Sequence, residues 1–159
     1  MNWKIFVLLA VMVLLLIAAP VSADGAMQIS GIGFFAGEEC DVQGQGADFA
    51  LNMTGDLEGC HYVFVETSTC TPSGTYKETG TELFVSKDGG STFRTTYRFT
   101  AKYEDCPNLA GEIFGRCQHP IIAGSGTGDF EGVTGRLDFK DDLSDPVNPE
   151  FPFRGHLRW

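Results

Sequence analysis

Thr92-Phe-Arg-Thr-Thr-Tyr-Arg-Phe-Thr-Ala-Lys-Tyr103 is the stretch on which the fold turns. Its odd positions are Phe93, Thr95, Tyr97, Phe99, Ala101 and Tyr103; its even positions are Thr92, Arg94, Thr96, Arg98, Thr100 and Lys102. One face is aromatic and the other basic, the period-two signature of a strand with one side in a core. The same split recurs in Val133 to Lys140, where Val133, Leu137 and Phe139 oppose Thr134, Arg136, Asp138 and Lys140. At the C-terminus Phe151, Phe153, Leu157 and Trp159 oppose Arg154, His156 and Arg158. The aromatic and leucine residues of these three segments, Trp159 included, are expected in one continuous core, with Arg94, Arg98, Arg136 and Arg158 outside.

Working outward, weaker strands span Met27 to Phe35, Ala47 to Thr54, Cys60 to Glu66, Thr75 to Val85 and Glu112 to Ser125, the last with Pro120 as a bulge or edge point. Turn chemistry separates them, as in Pro72-Ser73-Gly74 and Lys87-Asp88-Gly89-Gly90. Eight short one-sided strands and no helix make an all-β chain. An even set with an integral last strand suits a single eight-stranded antiparallel closed β-barrel, because closure removes exposed edges. A two-sheet β-sandwich uses the same pattern.

The chain has 159 residues, of which the first 23 read as a signal peptide. Lys4 precedes an apolar run from Ile5 to Ala18, shorter than the roughly 20 residues of a spanning helix, and Val21-Ser22-Ala23 offers small residues at the cleavage point. Residues 24–159 then form one domain, secreted to an extracellular or periplasmic space, with no membrane attachment after cleavage. A net charge of −10 disfavours nucleic acid as a partner.

Export places Cys40, Cys60, Cys70, Cys106 and Cys117 in an oxidising compartment, so disulfides are expected and the odd count leaves one thiol over. In an up-and-down strand order Cys70, Cys106 and Cys40 fall in loops at one barrel end, with Cys60 and Cys117 towards the other. The expected bridge is Cys70 to Cys106, with Cys40 as the competing partner. No cofactor is called for and no metal site is assigned: Cys117-x-His119 offers two ligands where a closed zinc site needs four.

Among the polar residues Glu82 stands out. Tyr76, Glu78, Gly80, Glu82 and Phe84 share a face of their strand, and if the aromatics point inward Glu82 is a lumen carboxylate able to act as general acid or base. Two other readings stay open: Leu83 and Val85 define the inner face and leave Glu82 in solvent, or Glu82 is inside as a structural partner of an arginine such as Arg116. His119 is the second candidate catalytic residue, in the lumen beside Cys117, with a hydrogen-bonded structural role as the alternative. His61 and His156 are placed at the surface or rim. Asn52-Met53-Thr54 matches a glycosylation sequon on a polar face.

The segment Gly124-Ser-Gly-Thr-Gly-Asp-Phe130-Glu-Gly-Val-Thr-Gly135 resembles the G-x-G-x-F-x-G-x-x-G corner of the allene oxide cyclase-like barrel superfamily, which includes dirigent-type proteins. Leu57-Glu58-Gly59-Cys60, Gly80-Thr81-Glu82-Leu83-Phe84 and Arg154-Gly155-His156-Leu157 strengthen the likeness to a secreted bacterial-type branch. Physically, glycines permit the sharp bend, and Phe130 and Val133 plug the barrel end. The resemblance implies a closed barrel over nearly all of residues 24–159. The plant enzymes' catalytic Glu and Cys align with no motif here.

Three functions are compatible with this reading. A lumen lined by Tyr76, Phe84, Phe93, Tyr97 and Phe99 would hold a small apolar ligand. A filled lumen would suit a structural envelope or matrix protein. An isomerase or cyclase would add a carboxylate that guides rearrangement of a small hydrophobic substrate.

Overall fold

The structure, a computed structural model, describes residues 25–145 and 147–159. The expected signal peptide, residues 1–23, lies outside them. Eight strands follow in order: β1 Met27–Phe35, β2 Phe49–Gly55, β3 Gly59–Cys70, β4 Thr75–Ser86, β5 Thr92–Asp105, β6 Ala110–Pro120, β7 Thr134–Lys140 and β8 Glu150–Arg158. Each is antiparallel to the next, and β1 pairs with β8 from Met27↔Leu157 to Phe34↔Glu150, so the sheet closes into a barrel and the sandwich alternative falls away. The helical content is small: one four-residue turn, α1 (Val42–Gln45), and two 3-10 turns at Cys106–Asn108 and Gly128–Phe130.

The alternation in β5 holds: Phe93, Thr95, Tyr97, Ala101 and Tyr103 are buried, Phe99 is half-buried, and Arg94 and Arg98 are exposed. Arg136 and Arg158 are exposed too, while Leu137, Phe139, Phe153 and Leu157 are buried. Trp159 departs from the expectation, being 50% exposed. Its parity is inward, but it lies one residue past the end of β8, and its indole N–H donates to the Asp129 carbonyl 3.0 Å away. β6 stops at Pro120, short of the expected Ser125; beyond it Ile121 makes a single bridge to Thr95 and donates its N–H to the Gly135 carbonyl at 3.0 Å before the chain turns away.

One end of the barrel is filled. Phe84 and Phe93 face each other across β4 and β5 with centroids 4.9 Å apart, and Phe130 packs edge-on against both. Val133 is fully buried beside this plug, so the corner seals the barrel as its sequence suggests. Two glycines make the corner possible: a Cβ on Gly126 would lie 1.7 Å from the Phe130 carbonyl oxygen, and Gly128 has φ +59.

The connection from β1 to β2 packs against the barrel's outer wall. Cys40 and Val42 cover outward-facing Ala50, Tyr62, Phe64, Leu83 and Val85, forming a second apolar cluster. Leu83 and Val85 therefore belong to the outer face, which leaves Glu82 to the lumen. The same packing corrects the cysteine placement. Cys40 does not compete for the Cys70–Cys106 bridge; it joins Cys60, with Cα atoms 5.8 Å apart. Cys70 and Cys106 are bridged as expected, and Cys117 is the free, buried thiol.

Candidate functional site

The filled end gives way to a cavity of about 410 Å³ that opens at the other end of the barrel. Leu51, Val63 and Phe139 form apolar wall, and Phe35, Phe49 and Phe151 stand towards the mouth. Of the five expected ligand contacts, Tyr76, Tyr97 and Phe99 line this cavity. Phe84 and Phe93 do not: both are 1% exposed and belong to the plug, where Phe130 covers them.

Both candidate catalytic residues line the cavity, and the ladder registers bring them together. Glu82 pairs with Thr95 across β4 and β5, so the Thr95 hydroxyl donates to Glu82 Oε2 at 2.5 Å. From β6, His119 Nδ1 lies 2.6 Å from the same oxygen. From β3, His61 Nε2 approaches it to 3.4 Å without completing a hydrogen bond. Burial by itself would raise the Glu82 pKa; attraction to His119 and then His61, with the hydrogen bond from His119, outweighs it and holds the group well below the usual carboxylate range. Arg116 is exposed and takes no part.

His61 corrects the sequence reading. It is 1% exposed, inside the barrel, with its ring centroid 5.7 Å from that of His119. The signal was its parity with Val63 and Val65, but Tyr62 and Phe64 on the other face of β3 are equally apolar. The outer cluster that buries those two residues makes β3 two-faced, so alternation could not orient it. His156 is half-buried on β8, in line with a rim position.

Nearer the mouth are further carboxylates. Glu78 accepts from the Tyr97 hydroxyl at 2.8 Å and the Tyr76 hydroxyl at 2.5 Å, and Glu112 accepts from Tyr103 at 3.1 Å. Burial first, and then Glu78, push the Tyr97 hydroxyl far above its ordinary pKa, so it stays a proton donor. Cys117 is likewise pushed up, by burial and then by Glu82; it is a neutral thiol rather than a nucleophile.

Burial, followed by the hydrogen bond to and charge of Glu112, pushes Asp141 up to about 8. An unfolded aspartate titrates near 4. Between those values the folded chain holds a proton that the unfolded chain has released, so this group's contribution to stability falls as pH rises from about 4 to about 8. Asp141→Asn keeps the shape and removes the titration. Thermal unfolding of both proteins across that range is expected to show the variant gaining on the wild type as pH increases; parallel curves would contradict the shared-proton arrangement.

No protein-family model, curated protein or solved structure matches this chain.

Proposed function

We propose that this is a secreted binding protein that holds a small, largely apolar molecule in the open half of its barrel. The observation that carries the reading is the cavity: about 410 Å³ of space, walled by aliphatic and aromatic side chains and floored by a few converging polar groups. Ligand sites of small barrels have that composition, with apolar wall for affinity and polar floor for orientation. A barrel serving only as scaffold gains nothing from leaving half its lumen open, since unfilled space weakens a core. Two disulfides are compatible with an extracellular or periplasmic location, and the leader-like residues 1–23 support export. The corner at Gly124–Gly135 supports placing the chain near the allene oxide cyclase-like barrels.

A second reading, an isomerase or cyclase, is favoured by one feature. The Glu82–His119 pair touches the cavity, so a substrate there would meet a carboxylate with an imidazole 2.6 Å from it, a pair able to stabilise positive charge or relay a proton during rearrangement.

Fluorescence titration with N-phenyl-1-naphthylamine, a neutral apolar probe, tests the binding reading. Saturable one-to-one binding is expected in the wild type, and Val63→Trp, which fills the wall of the cavity, is expected to weaken it by at least about tenfold, since lost burial of this size is worth over 1.4 kcal/mol. Equal binding by both proteins would place the probe outside the lumen and remove the support.

A further inference from the structure

Two imidazoles are buried around one carboxylate, and three of their four ring nitrogens have no hydrogen-bond partner: both of His61 and Nε2 of His119. Native interiors rarely leave buried polar atoms unpaired, because a group that gives up its water and gains no partner destabilises the fold. Such orphans mark a place where something belongs. The cavity surface includes Glu82 and His119 but not His61. An organic molecule in the lumen therefore reaches the first two residues and leaves the His61 nitrogens unpaired. An ion seated among the three side chains takes one atom from each, and among these is His61 Nε2, which points at Glu82 Oε2 and has no other partner.

We propose that His61, Glu82 and His119 form a binding site for a divalent transition-metal ion of the zinc type, with an open coordination position facing the lumen. Two imidazoles and a carboxylate are a donor set that zinc accepts in open, reactive sites. The spacing suits it as well. Ligand atoms at ordinary zinc distances in a tetrahedron lie roughly 3.3 to 3.5 Å apart. His61 Nε2 and Glu82 Oε2 are 3.4 Å apart already, and all three ligand atoms fall within 4.8 Å of one another. His119 Nδ1, at 2.6 Å from Oε2, must draw back by roughly 0.8 Å to reach the same spacing.

Charge and support point the same way. Glu82 is fully enclosed, and no Lys or Arg is paired with it among the described residues. An ion supplies positive charge where the fold provides no fixed cation. Thr95 donates to Glu82 Oε2 and holds the carboxylate in place, the role outer partners play around metal ligands. The two disulfides fit an oxidising environment, in which redox-inert zinc is the suitable member of the metals that take this donor set. The chain's remaining histidine, His156, lies on β8 outside the cluster and serves as an internal control.

The site stands independently of what fills the cavity, and the test uses the metal alone. Protein with both disulfides intact is freed of metal by dialysis against a chelator and titrated with Zn2+ by calorimetry and with Co2+ by visible absorption. One equivalent of each is expected, with the absorption of a four- or five-coordinate Co2+ centre. His61→Gln, His119→Gln and Glu82→Gln are each expected to lose more than the roughly 10- to 100-fold in affinity that an outer-shell change costs, whereas His156→Gln leaves binding unchanged. Because buried variants can misfold, wild-type crystals soaked in Zn2+ give a second readout: an anomalous peak among the three side chains. Absence of uptake, binding unaltered in both His61→Gln and His119→Gln, or density for water alone at that position would overturn the proposal.

Discussion

Truncating Phe139 to alanine is expected to lower the unfolding free energy by about 3 to 5 kcal/mol, the range for an aromatic side chain lost from a core. Phe139 is 5% exposed and sits where the filled half of the barrel meets the open half. Its ring lies 4.6 Å from His119, 5.2 Å from Phe153 and 6.0 Å from His61, centroid to centroid. Loss of the ring removes packing from three neighbours at once, and β7 between β6 and β8 cannot collapse into the void without breaking the closed ladder. Denaturant titration measures the change. A shift below about 1 kcal/mol would mean that Phe139 is not part of the core. The histidines should also lose their fixed orientation, so Zn2+ affinity in the same variant is expected to fall with stability.

The largest effect is expected from the two disulfides together. Cys40–Cys60 spans a sequence separation of 20 and Cys70–Cys106 one of 36. Loop-closure entropy then assigns them about 3 and about 4 kcal/mol. Their sum, about 7 kcal/mol, compares with a total stability of about 5 to 15 kcal/mol for a domain, so full reduction is expected to bring the barrel close to its unfolding midpoint. Replacing either pair by serines should show the larger loss for Cys70–Cys106, which ties the turn after β3 to the connection after β5. Peptide mapping of the unreduced protein should recover these two links, with Cys117 alkylated only after denaturation because it is buried. A link between Cys60 and Cys117 would contradict both the wall packing and the burial of Cys117.

Much of this protein was already determined by the sequence alone, wherever one face of a strand was apolar and the other charged. β5, β7 and β8 have that contrast, and their orientation follows from it because a one-residue slip would bury arginine. The glycine corner at residues 124–135 likewise carries its own conformation, and the parity of Glu82 with Tyr76 and Phe84 was enough to propose a lumen carboxylate.

Tertiary structure decided what depends on residues far apart in the chain. Closure rests on the β1–β8 pairing, whose partners stand at opposite ends of the domain and whose backbone hydrogen bonds leave no mark in side-chain pattern. The path of the β1–β2 connection over the outer wall decided the Cys40–Cys60 bridge and buried the outer faces of β3 and β4. Once both faces of β3 are apolar, alternation no longer distinguishes inside from outside, and His61 could be read as a rim residue until the closed barrel placed it beside Glu82 and His119. The cavity is of the same kind. Phe84, Phe93 and Tyr97 look alike as inward aromatics, and only the position of Phe130 across the barrel end makes the first two a plug and leaves the third facing open space.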